Sequence, residues 1–333
     1  MIKREDKTVH YRGIVKVLQM GQDLRKRILT LDPQEGRTIR TPPLTEEGSW
    51  VGAPSILYDE EPGKYLLSYR LRNPRTEPFR KINYHRGYEA RIAESTDGRT
   101  FTDIWAVSKQ EYGARSFERA CLRKVGGTYR LYLSYDDPKA KQWRIDLLES
   151  EDPSEFNTQE RKTILTPRNK GPAVGHVKDP YLIQHDGMWL MFVNYHDEDI
   201  SHVSETGVAV SEDGVTFEWK GDLFPNDREG WDKGIARLTT LLRVTTETAL
   251  MLYDCGTSMK EMVCEEKTGV GMLNLSNLTV TRIEDVSLPL TSPYSSGSLR
   301  YFDALRRGRE ITLFFEFATK FKTHELRVQE VRV

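Results

Sequence analysis

Five short apolar runs of this chain end on polar side chains of different chemistry. KYLLSYR closes on Arg70, YRLYLSYD on Asp136, WLMFVNYH on His196, ALMLYD on Asp254 and ITLFFE on Glu316. The spacings are 66, 60, 58 and 62 residues. A second polar set opens the apolar run that precedes each of these: Glu118 with Arg119, His176 with Lys178 and Asp179, Asp232 with Lys233, and Ser298 with Arg300. Carboxylates mixed with cations suit a polar substrate. Cleavage of a glycosidic bond in particular needs one acid to protonate the leaving oxygen and one carboxylate to activate water or attack directly. Taken singly, an Asp at a strand end caps a turn or pairs with a neighbouring Arg. Five equivalent positions that converge on one place weaken that plain reading.

The sharpest local cluster is GHVKDPY. In a strand, alternate residues share a face, so His176 and Lys178 point one way and Asp179 the other unless the strand begins only at Asp179. The alternative is structural, since Asp179-Pro180 is an acceptable strand start. NYHDEDISH, from Asn194 to His202, is rich in metal-ligand types but meets no metal-ligand spacing, so no metal is expected. No phosphate-cradling glycine loop and no serine nucleophile elbow is present, and no cofactor is expected.

The elements that must position these residues follow from the repeat. Upstream of each run lies another apolar segment: APSILYD, ACLRKV, DPYLIQH, RLTTLLRV and LRYFDAL. Turn material such as Glu61-Pro62-Gly63, Gly126-Gly127 and Asp186-Gly187 joins the two as a hairpin. Downstream, STDGRTF from Ser95, SEDPSEF from Ser150 and SEDGVTF from Ser211 mark a second hairpin, replaced in the fourth unit by LSNLTV. Each unit therefore supplies about four antiparallel strands, and radial repetition of such units predicts an all-β, five-bladed β-propeller over residues 48–333. The last unit is one strand short. HYRGIVKVLQM, within a 1–47 N-terminal extension, is the candidate to close the ring, and residues 21–45 read as a short helix or loop leading into the first blade. In a propeller the innermost strands point at the axis, so both polar sets above line one funnel.

With 49 Lys plus Arg against 50 Asp plus Glu in 333 residues, the chain carries no net signal for nucleic acid or an anionic membrane. Its first residues are charged and lack an apolar stretch of signal or membrane length. Three cysteines, Cys121, Cys255 and Cys264, are an odd number without zinc-type pairing, which fits a reducing compartment. A cytoplasmic protein with a carbohydrate partner, no nucleic acid, no membrane, and homo-oligomerisation as an option is the expectation.

The A-x-S-x-D-G-x-x-F hairpin at Ala93 to Phe101 and again at Ala209 to Phe217, with Lys178-Asp179-Pro180 opening the third unit, resembles the five-bladed propeller glycosidases, the group of glycoside hydrolase families 32, 43, 68, 117 and 130. The resemblance covers residues 48 to 333, and the order of features is most similar to family 130, the β-mannoside phosphorylases and hydrolases. YLLSYR resembles that family's first-blade run, SFERACLRKVGGTYRLYLSY its second blade, HVKDPYLI its third, and GVGMLNLSNLTVTRI its G-A-A-L-L-D-L segment. The chain departs from it at two sites. The family's E-D-P-R stands here as Glu118-Arg119-Ala120-Cys121, and its Tyr-His-Gly as Tyr253-Asp254-Cys255-Gly256. A carboxylate at the second site repels phosphate, which favours hydrolysis. Against family 43 the first-blade Asp-Pro becomes Ala53-Pro54, while Asp179 fits its third-blade Asp.

The resemblance implies a glycoside hydrolase with Glu118 and Asp179 as first choices for acid and base, and Asp254, Asp136 and Glu316 in reserve. Arg70, Arg119, His176, Lys178, His196, Asp232 and Arg300 would bind sugar hydroxyls or a substrate carboxylate. Trp50, Trp143 or Trp231 would stack on a pyranose face or pack between blades. The rivals are a phosphorylase of the mannoside type, supported by Arg70 and Lys178, and a non-catalytic carbohydrate-binding propeller, supported by the two departures.

Overall fold

A computed structural model describes residues 21–82, 85–167, 174–197, 204–225, 227–258 and 266–333. The chain is all-β there. Its strands fall into five antiparallel units. The first holds β2 (Trp50–Asp59), β3 (Lys64–Arg72), β4 (Gly87–Ser95) and β5 (Thr102–Ser108). The second holds β6 (Ser116–Val125), β7 (Thr128–Asp137), β8 (Gln142–Ser150) and β9 (Lys162–Leu165). The third holds β10 (Val174–His185), β11 (Met188–Asp197), β12 (Ser204–Ser211) and β13 (Glu218–Asp222). The fourth holds β14 (Ile235–Arg243), β15 (Thr248–Gly256), β16 (Lys267–Asn274) and β17 (Thr279–Arg282).

The fifth unit combines β18 (Leu299–Arg307), β19 (Glu310–Ala318) and β20 (His324–Arg332) with β1 (Arg37–Arg40) from near the other end of the chain. The missing outer strand is therefore β1. It lies inside the segment read from sequence as a helix or loop, where residues 21–29 are α-helical and Pro33–Glu35 form one 3-10 turn. Arg-Thr-Ile-Arg is too short to show strand periodicity, and Pro42-Pro43 ends it. HYRGIVKVLQM, the expected closing segment, lies outside the described residues.

Local chemistry explains the turns. Ser95 Oγ accepts from Gly98 N at 2.9 Å, and Asp97 Oδ1 accepts from Arg99 N at 2.8 Å and Thr100 N at 2.7 Å. Ser211 and Asp213 repeat the pattern with Gly214 N, Val215 N and Thr216 N. Gly98 and Gly214, at φ of 69° and 73°, supply the left-handed backbone this turn requires.

Five apolar clusters lie between the units, each formed by neighbours in chain order. Leu66 and Ile92 meet Phe117 and Leu131; Tyr132 and Leu147 meet Val177 and Met191; Phe192 and Val208 meet Leu238 and Met251. Leu250 and Val270 meet Phe302 and Leu313, with Leu24 and Ile28 of the N-terminal helix docked on that cluster. The fifth cluster joins Phe314, Leu326 and Val328 of the last unit to Val51, Leu67 and Ala93 of the first. Each fully buried side chain of this size contributes about 1.5–3 kcal/mol, which makes the contacts between units the main apolar store of the fold. Cys121 and Cys255 are buried within two of these clusters.

Candidate active site

All five first strands break register at the same place: between Gly52 and Ser55, Phe117 and Ala120, Lys178 and Tyr181, Leu238 and Thr240, and Arg300 and Asp303. Such bulges re-aim side chains and recur beside functional sites. Here they carry Ala53-Pro54, Glu118-Arg119, Asp179-Pro180, Thr239 and Tyr301-Phe302. Ala53, Asp179 and Tyr301 hold φ near +55°, at 54°, 56° and 53°. For a residue as bulky as Tyr301 that backbone is strained.

Arg119 pins the bulges together. Its Nε donates to Pro54 O at 3.0 Å and NH1 to Thr239 O at 2.7 Å, its NH2 lies 3.5 Å from Asp303 Oδ2, and its backbone N–H donates to Asp179 Oδ1 at 3.1 Å. One residue of the second unit thus bonds to all four others. The guanidinium is buried in contacts with the other units and does not line the cavity.

A cavity of about 430 Å³ opens above the bulges, walled by the first strands and the ends of the second. Of the residues singled out by the repeat, Glu118, Asp136, His176, Lys178, His196 and Arg300 line it, as does Trp143. His176 and Lys178 share the cavity face while Asp179 turns beneath it, as alternation along β10 requires. Arg72, His85, Arg115, Asn194, Tyr195, Ser204, Arg237, Glu266 and Tyr301 complete the lining. Several stand where third strands begin: Trp143, Ser204 and Glu266 occupy that place in the second, third and fourth units. The repeat could have indicated this third set, which the reading from strand starts and ends omitted.

Beneath the lining, charges form one continuous network. Arg70 Nε donates to Glu118 Oε2 at 2.8 Å, its NH2 lies 3.8 Å from Glu316 Oε2, and Arg72 NH2 lies 3.7 Å from Glu118 Oε1. Arg300 donates to Glu316 Oε1 from Nε and NH2, at 2.9 and 2.6 Å, and to Glu266 Oε2 from NH1 at 2.7 Å. Arg237 NH1 reaches Glu266 Oε1 at 3.4 Å and its Nε donates to Ser204 Oγ at 3.0 Å. Ser204 Oγ donates to Asn194 Oδ1 at 2.7 Å, and Asn194 Nδ2 donates to Asp179 Oδ2 at 3.2 Å. Tyr301 Oη donates to the same Oδ2 at 3.3 Å.

These contacts set the protonation of the site. Burial alone would raise the Glu118 carboxyl, but Arg70, Arg72, Lys178 and Arg300 hold it well below the usual carboxylate range. Burial opposes ionisation of Glu316 too, and Arg300, Arg70 and His324 overcome it. Burial pushes the Tyr301 phenol well above its ordinary value, Asp179 and Glu118 adding to this and Arg70 and Arg300 opposing it. His176 is pushed down to about 4 by burial, then by Lys178, His196 and Arg115, so it is neutral at neutral pH. Burial lowers Lys178 against the pull of Glu118 and Asp179.

Asp254 is different. Burial and the neighbouring Glu266 push its carboxyl up to about 8, while Tyr301 N–H donates to Oδ1 at 2.8 Å. It is buried under Tyr301 and does not line the cavity. Asp136 accepts from Arg115 NH2 and lies 2.9 Å from His85 Nδ1. Asp232, taken for a ligand residue, is instead fixed within the fourth unit by Tyr253 Oη at 2.9 Å and Arg282 NH1 at 2.6 Å. Trp231 packs on Tyr253 there. Trp50 is buried away from the cavity lining, and Glu316 and Arg70 lie behind it.

Among the described residues, no group of three or more His, Cys, Asp or Glu side chains is arranged to hold a metal, and no helix is long and apolar enough to cross a membrane. Residues 198–202 of NYHDEDISH lie outside the described residues.

No family model and no curated protein matches the sequence. Solved structures do. The β-1,2-mannobiose phosphorylase from Listeria innocua, in complex with β-1,2-mannobiose, superposes with a TM-score of 0.61 at 16% identity over 86% of this chain and 90% of its own. A glycoside hydrolase of the GH130 family of mannoside phosphorylases, described as targeting β-1,2-mannosidic linkages in Candida mannan, gives 0.60 at 13% identity over 88% and 93%. A thermostable family-43 glycoside hydrolase gives 0.60 at 13% identity over 87% and 92%. Along nearly its whole length the chain has the fold that these carbohydrate-active enzymes share.

Proposed function

We propose that the chain is a glycoside hydrolase that cleaves a short oligosaccharide or glycoside in the axial cavity of a five-bladed β-propeller. The five units, the five apolar clusters that run from each unit to the next and from the last to the first, and the reach of Arg119 into four neighbouring units support the ring. The functional reading rests on one relationship: Arg70 is bonded to Glu118 and lies 5.5 Å over the Tyr301 ring, whose hydroxyl is bonded to Asp179. An ionised carboxylate, Glu118, and a proton-bearing phenol, Tyr301, therefore share one wall of the cavity.

In the mechanism that follows, the Tyr301 hydroxyl, oriented by its hydrogen bond to the Asp179 carboxylate, protonates the leaving oxygen as the C–O bond breaks. Water adds to the anomeric carbon and passes a proton to Glu118, from which it returns through solvent to the Tyr301 phenolate. Lys178, His176, His196 and Arg300 bind sugar hydroxyls, and Trp143, which carries Lys178 Nζ 5.2 Å from its ring, offers a pyranose platform. Turnover of a panel of aryl glycosides by Glu118→Gln and Asp179→Asn tests this. Full activity in both variants removes these residues from the mechanism.

Phosphorolysis is the second reading, and a specific observation favours it. Among the described residues the lining presents five cations, Arg72, Arg115, Lys178, Arg237 and Arg300, against the carboxylates Glu118, Asp136 and Glu266. That excess opposes positive charge on the sugar unless an anion accompanies it. Asp254, expected to repel phosphate, is neutral at neutral pH and buried beneath Tyr301. Incubation with and without phosphate separates the readings: free sugar marks hydrolysis, sugar phosphate marks phosphorolysis, and neither marks a binding protein. Burial of Cys121 and Cys255 in two separate apolar clusters supports a reducing compartment such as the cytoplasm.

A further inference from the structure

Trp50 was expected as a sugar platform, but it is 1% exposed and carries His324 stacked on its ring at 4.2 Å and 8°. Four guanidinium groups surround the same indole: Arg86 at 4.2 Å, Arg300 at 4.6 Å, Arg72 at 4.8 Å and Arg75 at 4.9 Å from its centroid. Their carboxylate partners are unevenly distributed. Arg300 has Glu266 and Glu316, whereas Arg72 has only Glu118 at 3.7 Å, a carboxylate already bonded to Arg70. Among the described residues, no carboxylate forms an ion pair with Arg75 or Arg86.

Their hydrogen bonds are also incomplete. Arg86 NH1 donates to Gly48 O at 2.6 Å and Asn73 O at 3.0 Å. The Nε and NH2 of both Arg75 and Arg86, the Nε of Arg72 and the indole Nε1 of Trp50 are buried with no acceptor. A ring quadrupole attracts each cation by about 0.5–2 kcal/mol and cannot neutralise several of them. Buried charge without a partner costs several kcal/mol per ion. Burial, then Arg72 and Arg75, push the Arg86 guanidinium down to about 7, the direction set by like charges crowded together without a counter-charge.

A cavity of about 310 Å³ lies against the cluster, lined by Trp50, Arg75, Gly48 and His324 among others. Its one acidic lining residue, Glu47, is held by Lys322 at 3.2 Å. Gly48 lets the backbone at the cavity wall pack directly on the cluster, since a Cβ there would stand 2.6 Å from Arg75 Cγ and 2.9 Å from Arg86 NH1. Arg72 lines the larger cavity, so the cluster joins the two. We propose that this smaller cavity is a binding site for a small oxyanion, held by Arg75 and Trp50 Nε1 with the Arg86 charge behind them. The ligand is either the carboxylate of an acidic sugar or free phosphate, and its binding does not depend on the glycosidic reading above.

The test is thermal unfolding and calorimetric titration of the full chain with inorganic phosphate, glucuronate, and glucose plus sodium chloride at matched ionic strength. We expect phosphate or glucuronate to raise Tm saturably by several degrees, with glucose and chloride inactive; which anion acts identifies the source. Arg75→Gln should abolish that rise and also increase the Tm of the anion-free protein, because it removes an unpaired cation. Arg75→Lys should restore part of the rise. No response to either anion, or a response unchanged in Arg75→Gln, overturns the proposal. Absence of anion binding in a chain that turns over glycosides would refute the site and leave the activity standing.

Discussion

The Tyr301 hydroxyl donates to Asp179 Oδ2 across 3.3 Å, joining the bulge of β18 to the bulge of β10, and both residues hold left-handed backbone. Two strained positions facing one another are seldom retained for packing alone. In the mechanism above, Tyr301 is the member of the pair that meets substrate. Tyr301→Phe should lower kcat by about 10²–10⁴ with a smaller change in KM, as expected for loss of a positioned proton donor. Asp179→Asn should lower kcat by a similar factor and alter the pH profile. Steady-state kinetics across pH check both, and an unchanged kcat in Tyr301→Phe assigns the proton elsewhere.

Gly52 faces the Glu316 carboxylate so closely that a Cβ would stand 2.3 Å from Oε2 and 2.6 Å from Cγ. Gly52→Ala must therefore displace Glu316 from between Arg70 and Arg300. Breaking a buried ion pair by disturbing one partner costs about 3–5 kcal/mol. Urea unfolding should show a loss of that order, accompanied by lower activity because Arg70 also positions Glu118.

Arg119 bonds to four units through three donors and a backbone N–H, so its loss should be global. Arg119→Met leaves the carbonyls of Pro54 and Thr239 without their donor, and a drop of about 3–5 kcal/mol is expected by equilibrium unfolding. Arg119→Lys should not restore it, because an ammonium cannot span the two carbonyls as the guanidinium fork does.

Asp254 gives a pH signature. In the unfolded chain its carboxyl ionises near the ordinary 3.8, whereas burial and Glu266 keep it protonated in the fold up to about 8. The stability tied to this proton is full below the unfolded value and declines as pH rises toward 8. Asp254→Asn, which keeps an acceptor for Tyr301 N–H, removes that decline. Its Tm should match the wild type near pH 4 and exceed it by several degrees at pH 8, as read by calorimetry.

Much of this arrangement was written in the chain. The spacing of Arg70, Asp136, His196, Asp254 and Glu316 marked five equivalent strand ends, and Ser-x-Asp-Gly marked turns that form by side-chain acceptance of backbone N–H groups. Both are local effects, decided within a few residues. The facing of His176 and Lys178 toward the cavity also follows from strand alternation alone.

Depth and partnership were decided only by the folded molecule. A bulge inserts extra residues and resets which face each later side chain takes, so nothing in Phe-Glu-Arg-Ala announces that Glu118 enters the cavity while Arg119 is spent on carbonyls of other units. Glu266 and Arg237, about thirty residues apart, meet only because β14 and β16 flank β15. Trp50 looks from sequence like a platform for sugar, yet four guanidiniums drawn from three stretches of chain close around it. Sequence determines the repeat because its forces are short-ranged; charge pairing around the cavity sums over five units and exists only once they have packed.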